Sequence, residues 1–184
     1  MSQAAVLARD LLDMLRPVCE QVEIAGSVRR QKPDPKDIEL VCIPITVPVM
    51  NLFADGEVGR YDMNRWVRDL VGWELDRKQP RNGPRWKRLV NPRSLMCCDL
   101  FITRPEAWGV MFTLRTGPAD FSTQLMIRCK ARGLKVEDGL LYKTHRDGKT
   151  DLLATPTERS FFEALGLPWL EPVERSVAAL RAHA

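Results

Sequence analysis

Residues 22–43 read VEIAGSVRRQKPDPKDIELVCI, and this stretch decides the fold. Val22-Glu23-Ile24-Ala25 reads as a short strand that ends at Gly26-Ser27. Residues 31–36 contain Pro33 and Pro35 and predict a turn. From Asp37 to Ile43 the residues are apolar or β-branched except Asp37 and Glu39, so the chain runs out again as a strand. Gly26 has no Cβ and lets a ligand approach the backbone. Ser27 adds a hydroxyl, and Arg29 and Arg30 add planar cationic forks, a set that suits phosphate. A tight turn beside two solvated arginines accounts for the same residues. Asp37 and Glu39 point to one strand face about 7 Å apart, with Ile38 turned to the core. Such carboxylates repel unless water solvates them at a sheet edge or a cation is shared. Mg²⁺ uses oxygen ligands of this kind together with substrate phosphates.

Leu95 to Thr103 is a second apolar strand, interrupted by Asp99. A buried acid without a partner is expensive, so Asp99 faces outward or meets a cation. If this strand lies beside the first, Asp37, Glu39 and Asp99 converge on one face. Three carboxylates can then hold two Mg²⁺, the arrangement for in-line phosphoryl transfer.

Outside these strands, residues 3–16 place Ala4, Leu7, Leu11, Leu12 and Leu15 at helical spacing before Pro17. Residues 44–60 mix strand-like and loop-like composition. Residues 61–71 predict a helix with Trp66, Leu70 and Val71 inward. Trp86–Val90 predicts a strand, and a helix follows Pro105 to about Leu114. Thr116-Gly117-Pro118 breaks the chain before a helix from Ala119 to Arg132, with Phe121, Leu125, Met126 and Cys129 inward. A hairpin is predicted around Asp138-Gly139. A last helix runs from Thr157-Glu158 to Leu165, capped by Thr155 or Thr157, and a polar tail follows.

The 184 residues are 45% apolar and 28% charged, which excludes long disorder. With 28 Lys and Arg against 24 Asp and Glu, the net charge is +4, compatible with an anionic partner. No apolar run approaches the roughly 18 residues of a membrane helix. Arg9, Asp10 and Asp13 make the first segment an amphipathic helix rather than a secretory signal. The five cysteines form no C-x-x-C pair, which predicts reduced core-filling thiols in a cytoplasmic protein and no zinc site. Arg77 to Arg93 carries seven Lys or Arg and no acid. Around Trp86 it predicts a nucleic-acid track with phosphate contacts from Arg81, Arg85, Lys87 and Arg88, against the alternative of a solvated hairpin. Arg128, Lys130, Arg132 and Lys135 add charge at a helix end, where the dipole also favours them. Trp169 reads as packing, and His145 and His183 receive no role.

Gly26-Ser27-x-Arg29-Arg30, then Asp37-x-Glu39, then Asp99 resembles the nucleotidyltransferase superfamily pattern. Leu114-Arg115-Thr116-Gly117-Pro118-Ala119-Asp120-Phe121 is similar to the Tyr-Phe-Thr-Gly-Ser segment of DNA polymerase family X, the polymerase beta relatives. The segment from Glu158 to Arg175, with Leu165-Gly166-Leu167-Pro168-Trp169, resembles that family's terminal subdomain. The resemblance spans most of residues 20–176. It implies an α+β, nucleotidyltransferase-type mixed and mostly antiparallel sheet over residues 1–116, and a small thumb-like subdomain over 117–184. It further implies that Asp37 and Glu39 bind two Mg²⁺ (or Mn²⁺) and that Asp99 binds the catalytic one and helps deprotonate a primer 3′-hydroxyl. Gly26, Ser27 and Arg30 would hold nucleotide phosphates. Leu114, Arg115, Thr116, Gly117 and Asp120 would surround the nucleotide, with Arg128 toward the nucleic acid. The implied partners are primer-template or gapped DNA and a dNTP (or NTP), acted on by a monomer in short-patch repair or in a phage-like setting. Glu39 stands where the family usually has Asp, Leu114-Arg115 replaces the Tyr-Phe pair that screens the 2′-hydroxyl, and Met126 replaces a template-side Arg. Residues 1–21 leave no room for a lyase domain, so lyase activity is not expected. Template-independent nucleotide transfer and a catalytically silent nucleic-acid-binding module are the alternative functions.

Overall fold

The computed structural model describes residues 2–48 and 58–183. Of the compositionally mixed segment 44–60, residues 49–57 lie outside the described residues. The chain divides into two compact units, one formed by residues 1–24 and 34–102 and the other by residues 25–33 and 103–184. The expected division at 116/117 does not coincide with this. The helix Trp108–Thr116 belongs to the second unit because it shares that unit's core through Val110. Its Gly109 lies so close to the 155–157 segment that a Cβ would stand 2.0 Å from the Thr157 carbonyl oxygen.

In the first unit, the helix Gln3–Leu15 is capped by Ser2, whose hydroxyl accepts from the Ala5 amide. It buries Ala4, Ala8, Leu11, Leu12 and Leu15, the stripe that helical spacing predicts. The strands are β1 (Cys19–Ile24), β2 (Ile38–Pro44), β3 (Thr46–Pro48), β4 (Val58–Arg60), β5 (Glu74–Leu75), β6 (Trp86–Val90) and β7 (Cys97–Ile102). Five of them form a sheet in the order β1-β2-β7-β6-β5, and β3 with β4 forms a separate ribbon. Only the β2–β7 pairing in the five-stranded sheet is parallel, so the sheet is mixed and mostly antiparallel as expected. Ile38, Leu40 and Cys42 of β2 and Cys98 and Leu100 of β7 are fully buried. The helix Met63–Asp69 buries Met63, Trp66 and Val67. Leu70 and Val71 were expected in its inner stripe, but the helix stops at Asp69, Leu70 is extended, and Val71 is 79% exposed before Gly72 at φ 80°.

The second unit holds one helical turn, Gly26–Arg29, and helices Trp108–Thr116, Ala119–Ala131, Glu158–Ala164 and Val177–Arg181. A three-stranded antiparallel sheet of β8 (Leu134–Glu137), β9 (Leu140–Thr144) and β10 (Thr150–Leu153) completes it. Asp138 and Gly139 both take positive φ at the β8–β9 turn, as a two-residue hairpin requires. Thr157 caps the helix Glu158–Ala164 in a reciprocal arrangement with Ser160. The core joins Phe121, Leu125 and Cys129 to Phe161, Phe162 and Leu165, while Met126 is only half-buried. The expected polar tail folds instead. Its helix Val177–Arg181 buries Leu180, an anchor too short to show periodicity. The Cys42, Cys98 and Cys129 thiols are core fillers, and burial pushes Cys129 up to about 11.

Candidate active site

The two acid-bearing strands are neighbours. In the parallel β2–β7 pairing Glu39 stands directly opposite Asp99. In the antiparallel β6–β7 pairing Arg88 stands opposite Asp99 on its other side. One place further, the Asp76 amide donates to the Arg88 carbonyl at 2.9 Å. Glu39, Asp99 and Arg88 on three adjacent strands, and Asp76 just past the end of β5, therefore form a single row of charged side chains. Asp37 precedes β2 by one residue, two before Glu39. The negative charges of Asp99, Glu39 and Asp37 act together on the buried Cys98 thiol. Burial first, then these charges, push that thiol well above its ordinary value.

Asp99 is buried, with 8% exposure, and both its oxygens are engaged. Arg88 Nη1 donates to Oδ1 at 3.1 Å and to Oδ2 at 2.8 Å, and Trp86 Nε1 donates to Oδ1 at 3.0 Å. Arg88 also reaches Asp76 Oδ2 through Nε at 3.3 Å. Asp76 is itself fixed, because its Oδ1 accepts from the Lys78 and Gln79 amides. The Gln79 amide holds the Asp76 carboxyl below its ordinary value against the effect of burial, and the Lys78 amide and Arg88 add to it. Trp86 stacks on Phe101 with centroids 5.8 Å apart, which sets the indole edge toward Asp99.

The donor set suits a hard divalent cation, since three carboxylates are oxygen ligands and like charges stand opposed across β2–β7. Among the described residues, however, no three His, Cys, Asp or Glu side chains stand together as a metal-holding group. Asp99 is turned to Arg88 and Trp86 instead. The donor chemistry fits such a cation, but in this structure both Asp99 oxygens are held by Arg88 and Trp86.

The basic residues separate by strand face. Lys87 and Leu89 point opposite to Trp86 and Arg88, and the Lys87 side chain is buried at 1% exposure. Its ammonium donates to Asn64 Oδ1 at 2.6 Å, Asn82 Oδ1 at 2.8 Å and the Gly83 carbonyl at 3.3 Å. Burial pulls it below its ordinary value. Lys87 is thus a structural tie and not the phosphate contact the sequence predicts. Arg88 is likewise committed to Asp99 and Asp76. Arg81 and Arg85 are exposed as expected, with the Arg81 guanidinium 5.1 Å above the Trp86 ring. Arg128, expected at a nucleic acid, donates to the Leu165 carbonyl at 2.9 Å and reaches those of Gly166 and His183. It closes the carbonyl end of a helix.

Gly26, Ser27, Arg29 and Arg30 lie in the second unit. Gly26 takes φ 60°, which glycine adopts without strain. Arg29 does not face solvent. It grips Glu158 at 2.9 and 2.7 Å, donates to Thr116 Oγ1 at 2.7 Å and lies 3.8 Å over the Phe112 ring. Arg175, with a fully buried side chain, donates to Glu158 at 2.7 Å and to the Leu170 carbonyl at 3.2 Å. Burial would raise the Glu158 carboxyl, but hydrogen bonds from Arg29 and Arg175 outweigh it and leave it below its ordinary value. Arg30 Nη1 donates to the Thr116 carbonyl at 2.5 Å. The buried Oγ of Ser27 has no hydrogen-bond partner, and neither has Arg175 Nη2. Buried polar side-chain atoms are otherwise nearly always hydrogen-bonded.

Of the expected nucleotide-lining residues, Thr116 is buried as an acceptor for Arg29 and Arg30, and Leu114 packs on the core. Arg115 and Asp120 are exposed. Gly117 is required by packing, because a Cβ there would lie 2.5 Å from the Phe121 ring. The residues that sequence reasoning missed are Asp76 and Trp86 around Asp99, and the pairing of Glu158 with both Arg29 and Arg175. Asp76 has one visible signal, its place directly before the acid-free stretch 77–93.

Residues 112–176 match the family model for the DNA polymerase beta thumb. The match supports a relationship to the polymerase-beta-like family X, and with it a polymerase-related or DNA-binding role. It lies wholly within the second unit, and the acid row lies outside it. No helix among the described residues is long and apolar enough to cross a membrane.

Proposed function

We propose that the chain transfers a nucleotide from a nucleoside triphosphate to the 3′-hydroxyl of a nucleic-acid strand, as template-directed short-patch DNA synthesis. The observation that carries this reading is the register of Glu39 opposite Asp99 on parallel strands, with Asp37 two residues before. Asp37, Glu39 and Asp99 would hold divalent cations, Mg²⁺ or Mn²⁺. Bound there, such ions would neutralise charge on the phosphates and on the attacking oxygen. Asp99 would accept the 3′-hydroxyl proton as the oxygen attacks the α-phosphorus. The bond from that phosphorus to the bridging oxygen breaks, and pyrophosphate leaves with the electron pair. Arg81 and Arg85 would meet the nucleic-acid backbone.

The pairing of Asp99 with Arg88 favours a second reading, a catalytically silent nucleic-acid-binding module. Primer extension decides between them, on a gapped duplex and on a bare single strand, with dNTPs or NTPs and Mg²⁺ or Mn²⁺. Template-matched addition should occur and fall at least about 100-fold in Asp99→Asn. Addition only to the bare strand would indicate template-independent transfer. No incorporation with DNA binding intact would establish the silent module.

A further inference from the structure

An acid next to an acid is costly in a sheet, and cross-strand neighbours of like charge destabilise it. Asp99, which stands opposite Glu39, has an internal cation beside it. Arg88 sits in the next position of the same row, with only 19% of its side chain exposed, and covers both oxygens of Asp99. A guanidinium held by one acid alone would resist leaving it, because departure would strand a half-buried charge. Arg88 has a second acid. Asp76 holds it through Nε while the Asp99 bonds run through Nη1, so the two contacts use different nitrogens and are separable. Asp76 is in turn fixed by two backbone amides and does not depend on Arg88 for its place.

We infer that Arg88 is a positioning residue that acts as a built-in counter-ion for Asp99, to be displaced by a divalent cation and then retained by Asp76. The inference rests on the proposed metal-dependent reading and specifies its regulation. Arg88 and the incoming cation compete for one carboxylate, so Arg88 sets how much cation the acid row requires. The indole of Trp86 remains within reach of Asp99 Oδ1 and reports the exchange.

The test is Mn²⁺ binding to the full chain, read by the electron paramagnetic resonance of free Mn²⁺, and it needs no turnover. Arg88→Met should tighten Mn²⁺ binding about tenfold, the worth of one charge-assisted contact. Asp76→Asn should weaken it about threefold, because Arg88 then has Asp99 as its only acid. The asparagine oxygen still accepts from the Lys78 and Gln79 amides. A Mg²⁺ titration should shift the Trp86 indole N–H resonance, assigned by its loss in Trp86→Phe. Mn²⁺ binding lost in Asp99→Asn but unchanged or weakened in Arg88→Met would overturn the inference and leave the metal reading standing. If Arg88→Met fails to fold, Asp76→Asn decides, and wild-type affinity in that variant overturns the inference. No Mn²⁺ binding in any variant, wild type included, would overturn the metal-dependent reading itself.

Discussion

Among the described residues stand two buried carboxylate–guanidinium clusters, and they are built on opposite charge ratios. In the second unit one acid, Glu158, is shared by two arginines, Arg29 and Arg175, with Thr113 and Thr116 filling the remaining contacts. In the first unit one arginine, Arg88, is shared by two acids, Asp99 and Asp76, beside Glu39 and Asp37. The first cluster has a surplus of positive charge and an orphaned Arg175 nitrogen. In the second, two acids share one guanidinium. A closed cluster whose members come from residues 29, 158 and 175 holds distant chain segments together. The other is drawn from adjacent strands, and by the inference above it exchanges a partner.

The largest expected effect breaks the closed cluster. Glu158→Ala leaves two arginines without their acid and should cost about 3–5 kcal/mol. Hydrogen exchange would show this as lost protection of the helix Glu158–Ala164. Asp99→Asn should cost less than about 1 kcal/mol in urea unfolding, because Arg88 keeps Asp76. Equal losses in the two variants would erase the distinction between the clusters.

Acid sharpens the same contrast. The Glu158 carboxyl lies below its ordinary value, so its contribution is fully present above the unfolded-state pKa. It should be lost as pH falls below about 4.3 toward the folded-state value. A pH series of urea unfolding should show stability declining across that acid window. The Arg29→Met variant should show a shallower decline, since one of the two cations that lower the pKa is gone.

A third comparison concerns neighbours on one strand. Lys87→Met should destabilise by about 1–3 kcal/mol through the orphaned oxygens of Asn64, Asn82 and Gly83, without altering the salt dependence of DNA binding. Arg81→Ala should do the reverse, with unfolding changed by about 0.5 kcal/mol or less and the slope of log affinity against log salt reduced by about one. Fluorescence anisotropy on labelled DNA across a salt series reads both. A reduced slope in Lys87→Met would return that residue to the nucleic-acid surface.

Much of this architecture is legible in local pattern. The helix Gln3–Leu15, strands β2 and β7, and the Asp138-Gly139 hairpin follow from spacing and turn chemistry, which act over a few residues. The shared face of Asp37 and Glu39 follows from the period of a strand. Even the burial of Lys87 was written in the alternation of Trp86-Lys87-Arg88-Leu89, since Leu89 faces inward and Lys87 shares its face. Charge counting alone treats all seven basic residues of 77–93 alike and misses it.

What stayed outside the sequence is the identity of partners. Whether Asp99 meets Glu39, Arg88 or water depends on strand order and register, and a one-residue slip would turn every side chain to the other face. The grip of Arg29 and Arg175 on Glu158 joins residues up to 146 positions apart, from Arg29 to Arg175. No local propensity encodes such a contact. The sequence by itself determined which residues carry charge, most of the strands and helices (though not the helix Val177–Arg181), and the shared face of Asp37 and Glu39. The tertiary structure decided which of those charges neutralise one another, because electrostatic pairing depends on distance in space and on burial, and both are set only when the strands are in register.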